Sequence, residues 1–240
     1  MRYKASVSYD GSKFYGFQRL GEKKSVQGEL ERALTKINKS EVLVKGAGRT
    51  DRGVHALDQA VHFDLDVFVP PERLVNAINS IVKPDIFVNS VSIVSDDFHA
   101  RFNVLRKTYT YVINLGKFDT IKDNYLYNYN RCLNIRAMKK SAKLLLGPHS
   151  FHAFTSGARA NYNSIIYKIK FKKKRGYLYI TFVGKSFYRY MVRNMVGTLI
   201  SVGEGKLENR DILAYLTDEK ASIHYTTVPA NGLYLVKIDY

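Results

Sequence analysis

The stretch GAGRTDRGVHALDQAVHFDLDV (46–67) decides how this chain is read. It opens with three glycines, Gly46, Gly48 and Gly53, around Asp51. A helix after such a loop would make it a dinucleotide turn, with a pyrophosphate on the helix N-terminus. The residues after it instead alternate through Val61, Phe63, Leu65 and Val67, the period of a strand. The pattern G-x-G-x-x-G also needs a third glycine where Asp51 stands. Another glycine-lysine-serine run, Gly184-Lys185-Ser186, has Tyr179 where a phosphate loop needs its first glycine. The stretch is therefore a loop between two strands, and the fold is not a parallel nucleotide-binding one.

Working outward, RYKASVSY (2–9) alternates as a strand, and SVQGELERALTKIN (25–38) carries Val26, Leu30, Leu34 and Ile37 on one helical stripe. Ser25 is placed to cap that helix. EVLVKG (41–46) is a short strand, PPERLVNAINSIV (70–82) a helix entered through proline, and DIFVNSVSIV (85–94) a strand. The order is β-α-β-β-α-β. The second half repeats it. LRKTYTYVINL (105–115) is a strand, and NIRAMKKSAKLLLG (134–147) a helix closed by glycine. SIIYKIKFKKK (164–174) and GYLYITFVG (176–184) form a hairpin turning at Arg175-Gly176. Two helices come next at 186–203 and 208–217, then a strand at 232–239, while 116–133 reads as a long polar loop. The expectation is an α+β fold of two ferredoxin-like units, with antiparallel sheets flanking a central catalytic cleft. The domains are expected at 1–103 and 104–240.

Composition narrows the function. The chain has 240 residues, 45% of them hydrophobic, enough for a proper core. No stretch approaches the roughly 18 apolar residues of a membrane span. The N-terminal MRYKASVSYDG has no apolar signal segment, and the lone Cys132 offers neither a disulfide nor a zinc site. A cytoplasmic protein, with no membrane partner and no metal, is expected. Lys and Arg number 38 against 21 Asp and Glu, a net charge of +17. Such a surface suits a polyanion, nucleic acid above all, because neutralising phosphates releases counterions.

By its residues alone, the 46–58 loop has two readings. It is a turn-rich hairpin connection, or it presents Asp51 between Arg49 and Arg52 as an ionised carboxylate competent as a nucleophile. On the late helix, Arg193 has mostly apolar neighbours and requires a carboxylate partner. Tyr109 and Tyr111 share a strand face, which reads as core. On the 164–174 strand, Tyr167, Ile169 and Phe171 are expected on one face and Lys168, Lys170 and Lys172 on the other. That lysine row suits a phosphate track or a protected sheet edge. His149 and His152 lack a third ligand nearby and read as structural or RNA-contacting.

GRTDRGVHA (48–56) resembles the signature of the TruA family of tRNA pseudouridine synthases, G-R-T-D-x-G-V-H-A. The resemblance extends in order through YDGSKFYGFQ (9–18), SVQGELERAL (25–34), FHARFNVLRKTYTY (98–111), GPHSFHAF (147–154), FYRYMVRNMVG (187–197) and VPANGLYLVKIDY (228–240). It departs where the family usually has Trp and this chain has Phe17.

The resemblance implies conversion of uridine to pseudouridine at positions 38, 39 and 40 of the tRNA anticodon stem-loop, with no cofactor and by a homodimer. It implies that Asp51 is the nucleophile, that Tyr109 stacks on the flipped uracil, and that Arg193 pairs with the carboxylate. Arg49 takes the wedge position beside the flipped nucleotide, with a plain phosphate contact as the other reading. Arg52, Lys168, Lys170 and Lys172 are the further expected RNA contacts. A catalytically silent RNA-binding protein is the alternative outside this class.

Overall fold

The computed structural model describes residues 1–218 and 220–240. They form two compact units. Unit 1 is Met1–Leu105 together with Tyr234–Tyr240, and unit 2 is Arg106–Leu233. The expected second domain ran from 104 to 240. Its last strand instead groups with unit 1, because Tyr234 and Leu235 pair in parallel with His55 and Ala56.

Unit 1 contains β1 (Arg2–Tyr9), α1 (Val26–Asn38), β2 (Lys45–Gly46), β3 (His55–Asp64), α2 (Pro71–Val82) and β4 (Ile86–Ile93). Strands β1 and β3 pair antiparallel, as do β1 and β4, and β2 and β3. The order is β4-β1-β3, with β10 (Leu233–Asp239) beside the first residues of β3 and β2 beside its last. The strand expected over 41–46 thus pairs only at Lys45–Gly46. Tyr3, Ala5, Val7 and Tyr9 form the buried face of β1, and Val26, Leu30, Leu34, Leu74 and Ile78 supply the helical part of the core. Ser25 caps α1 as its sequence predicts, accepting from the Gly28 N–H at 3.2 Å.

A turn after β4 is pinned to this sheet by three side chains. His62 Nδ1 accepts from the Ala100 N–H at 3.1 Å. Tyr240 Oη donates to the Ala100 carbonyl at 2.7 Å. Arg2, forked onto Asp64 with two bonds of 2.9 Å, also donates to the Phe98 carbonyl at 3.1 Å. Burial first, then the nearby His99 and Arg2, pushes the His62 imidazole down to about 4. The unfolded chain, with an ordinary histidine near 6.5, takes up this proton first as pH falls. Stability from neutral His62 is therefore complete above about pH 6.5 and is lost as pH falls toward about 4. Between pH 7 and 5 this should cost roughly 2 kcal/mol in urea melts. A His62→Gln protein should lose measurably less over that interval, and an equal loss would exclude His62 as the cause.

Unit 2 contains β5 (Arg106–Asn114), β6 (Tyr127–Asn128), α3 (Ile135–Ala142), β7 (Gly147–Ser150), β8 (Asn163–Lys174), β9 (Tyr177–Gly184), α4 (Met191–Gly203) and α5 (Asn209–Thr217). Its strands run in the order β5-β9-β8-β7, with neighbours antiparallel and β6 parallel to β5. Tyr109, Tyr111, Ile113, Leu178, Ile180 and Phe182 face a core shared with Met191, Met195 and Leu199 of α4. The β8–β9 hairpin turns at Arg175 (φ 51°) and Gly176 (φ 83°), the pair of positive φ values that a two-residue turn between twisted strands requires.

Three expectations shift here. The helix expected over 134–147 stops at Ala142 and tightens into a 3-10 turn over Lys143–Leu145. Gly147 then takes φ 93° and its strand joins β8. The helix expected from 186 begins at Met191, because Tyr190 is left-handed at φ 64°. The loop over 116–133 is largely irregular but contributes β6, and Asn114 Nδ2 fastens it by donating to Asn128 Oδ1 at 2.8 Å. No helix among the described residues is long and apolar enough to cross a membrane.

Candidate active site

Asp51 lies half-buried on the loop between β2 and β3. The loop is tied on its own side by two bonds: Ala47 N–H to the Ala60 carbonyl (2.8 Å) and Gln59 Nε2 to the Gly48 carbonyl (2.9 Å). On the other side it rests against YDGSKFYGFQ (9–18). Tyr9 Oη and Thr50 Oγ1 are 2.8 Å apart in the core, and Phe17 N–H donates to the Thr50 carbonyl at 3.1 Å. Burial pushes the Tyr9 phenol up to about 12, so it stays a neutral partner to Thr50. The clamp on this loop thus works through backbone, hydroxyl and side-chain amide groups.

Two glycines make the close approach possible. A Cβ on Gly11 would lie 2.1 Å from the Val54 carbonyl oxygen, inside its van der Waals shell. Gly16 has φ 102°, and a Cβ there would meet the Thr50 carbonyl at 3.0 Å. The loop closes through a bond from Val54 N–H to the Asp51 carbonyl (3.1 Å), with Gly53 left-handed at φ 83°. His55, two residues after Gly53, accepts the Gly11 N–H on Nδ1 at 3.1 Å and stacks on Tyr234 with centroids 4.8 Å apart. Arg49 and Arg52 are both exposed, and the Arg52 guanidinium sits 4.4 Å over the Tyr15 ring. Motif 9–18 was visible in the sequence. That it forms the cradle of the Asp51 loop is learned from the structure.

In unit 2, Tyr109 on β5 is only 7% exposed, its ring edge-on to Phe187 at 5.1 Å. Tyr111 is fully buried, as its strand face predicts, and its hydroxyl donates to the Pro229 carbonyl at 2.7 Å. Burial pushes the Tyr111 phenol well up, and the charge of Arg193 pulls it the other way. Arg193 itself donates from Nε to the Val228 carbonyl at 2.8 Å and lies over the Tyr190 ring at 4.7 Å. One turn further along α4, a Cβ on Gly197 would come within 2.0 Å of the Thr226 carbonyl. Only glycine lets that segment lie close enough to put Val228 within reach. The carbonyl partner was not legible from spacing, since it comes from a segment with no regular element.

The lysine strand needs one correction. Lys168, Lys170 and Lys172 were expected on a single exposed face of β8; Lys168 and Lys172 are exposed and Lys170 is exposed between the half-buried Ile169 and Phe171. Tyr167, however, does not share the face of Ile169 and Phe171. The register slips between Ile166 and Lys168, and Tyr167 sits in that bulge, 50% exposed. The buried positions switch from Ser164 and Ile166 to the less exposed Ile169 and Phe171 across the slip. Lys170 beside it holds the Lys168 ammonium below its ordinary value, as expected for like charges on one strand face.

Residues 5–103 and 141–240 match the sequence profile of a family described as tRNA pseudouridine synthase. The tRNA pseudouridine synthase A of Listeria monocytogenes is 40% identical over 245 residues, covering all of this chain and 99% of its own. That of Streptococcus agalactiae is 39% identical over 245 residues, covering 100% and 95%. That of Streptococcus thermophilus is 37% identical over 246 residues, covering 100% and 99%. The chain belongs to the TruA family of tRNA pseudouridine synthases. It is an isomerase, a pseudouridine synthase.

Proposed function

We propose that this chain isomerises uridine to pseudouridine at positions 38, 39 and 40 of the tRNA anticodon stem-loop, with Asp51 as the nucleophile. The observation that carries the role of Asp51 is the placing of its loop, held to the 9–18 segment through Thr50 and to β3 through Ala47 and Gly48. In the proposed reaction the uridine is first flipped from its stack. The Asp51 carboxylate bonds to C1′ as the N1–C1′ bond breaks, its electron pair leaving with the uracil. The uracil turns, C5 bonds to C1′ and the carboxylate departs. The C5 proton is lost and N1 is protonated, so atoms balance without a redox step or cofactor.

Tyr109 stacks on the flipped base and Arg193 holds the nucleophilic carboxylate ionised, by the family pattern. Arg49 fills the place the base leaves, or contacts its phosphate. Arg52, Lys168, Lys170 and Lys172 contact the RNA backbone, which suits their exposure and the +17 charge. Within this reading both halves are ferredoxin-like, the N-terminal one supplying Asp51 and the C-terminal one supplying Tyr109 and Arg193. The enzyme acts in the cytoplasm as a homodimer, so light scattering should give twice 27.5 kDa, and a monomer would overturn the dimer.

The test is tritium release. Unmodified tRNA carrying tritium at uridine C5 should release label on incubation, with losses mapping to positions 38, 39 and 40. Binding of the tRNA without release would establish the silent RNA-binding alternative instead.

A further inference from the structure

The segment FHARFN (98–103) forms the turn after β4 and holds an aromatic ring out in water. Phe102 is 75% exposed. Its ring stacks on His99, with centroids 4.3 Å apart and planes 28° from parallel. His99 stands edge-on to the buried His62 at 4.6 Å, so the stack is footed in the sheet. The turn is rigid for its size. Besides the three anchors on Phe98 and Ala100, Phe102 N–H donates to the His99 carbonyl at 3.1 Å and Arg101 N–H to His99 Nδ1 at 3.1 Å. The Arg101 guanidinium lies 5.9 Å from the Phe102 centroid.

Three quarters of Phe102 lies in solvent, and its ring is set by its own turn, through His99 and Arg101. A pre-ordered ring backed by an imidazole and flanked by a guanidinium matches a flat base attached to a phosphate. The charge of +17 favours such a polyanion over an apolar protein partner. We propose that Phe102 is a stacking platform for an unpaired base of the RNA substrate, with Arg101 meeting the adjoining phosphate. The proposal rests on the reading that the substrate is RNA.

The chain contains no tryptophan, so Phe102→Trp creates a single reporter of this position. Its emission should be that of an exposed indole and should be quenched saturably by unmodified tRNA. Phe102→Ala should weaken tRNA retention on filters about 10-fold. At saturating tRNA its kcat should stay within about two-fold, since only binding is lost. Phe102→Tyr should retain binding and Phe102→Leu should not. Wild-type affinity in Phe102→Ala, or unquenched emission with tRNA bound, would overturn the platform. So would emission already blue-shifted without RNA that moves red on dilution, since a second copy of the chain would then cover the ring. Filter retention needs no catalysis. Binding without tritium release fails the enzymatic reading alone, and release with an unquenched reporter fails the platform alone. A chain that retains no tRNA fails both.

Discussion

Asp51→Asn should lower tritium release by about 10⁴-fold or more, the scale seen when a covalent nucleophile is removed. The amide has nearly the shape of the carboxylate but cannot bond to C1′ and leave again. The loop is held by the Thr50 hydroxyl and by the Gly48, Thr50, Asp51 and Val54 backbone, all of which the variant retains. Melting temperature and tRNA retention should therefore remain close to wild type. Asp58→Asn is the matched control. Asp58 is an acceptor for the Ser6 hydroxyl at 2.5 Å, a structural role, and its variant should keep most of the activity. Retention of more than a tenth of wild-type release in Asp51→Asn would remove that residue from the nucleophile's role.

Gly11→Ala tests the cradle without touching a reacting group. The new methyl would stand 2.1 Å from the Val54 oxygen and 2.3 Å from its carbon, both backbone atoms that no rotamer change can move. Either the 9–18 segment or the Asp51 loop must shift by about an ångström to restore ordinary contact. Overpacking of this kind costs roughly 1 to 3 kcal/mol, and misplacing a reacting group by about 1 Å can cost about 10²-fold in rate. The expected variant is folded, melts several degrees lower, and has kcat reduced about 100-fold. Gly21→Ala provides the contrast: Gly21 has a positive φ, at 53°, but nothing lies within 4 Å of its Cβ position. It should show a small stability loss and normal kcat. Full kcat in Gly11→Ala would mean that the loop's position is set elsewhere.

Much of this architecture was legible because period and punctuation agree. The alternation after Gly53 identifies β3, Ser25 marks the start of α1, and Arg175-Gly176 marks the hairpin. Hidden from such patterns are events in which one residue changes the rule for its neighbours. Tyr167 sits in a bulge, so alternation read across it puts that ring on the wrong face. Tyr190 turns left-handed, which no apolar pattern announces, and shortens the helix expected from 186. The candidate site divides the same way. Asp51 stood out in its own sequence context. The partners that fix its loop, Tyr9, Gly11 and Phe17, lie far earlier in the chain and meet it only through tertiary packing. The Val228 carbonyl bound by Arg193 is a backbone group, and side-chain chemistry could not have named it.

The parallel pairing of Tyr234 and Leu235 with His55 and Ala56 has a consequence in time. During synthesis, residues 1–105 emerge early, with Asp51 and its glycines among them. The ring on which His55 stacks, Tyr234, and the hydroxyl that holds Ala100, from Tyr240, do not yet exist. The nascent unit waits with the first residues of β3, His55 and Ala56, lacking their β10 neighbour until the ribosome has made nearly everything else. An interrupted chain would carry the full signature GRTDRGVHA and still lack the support on which His55 rests.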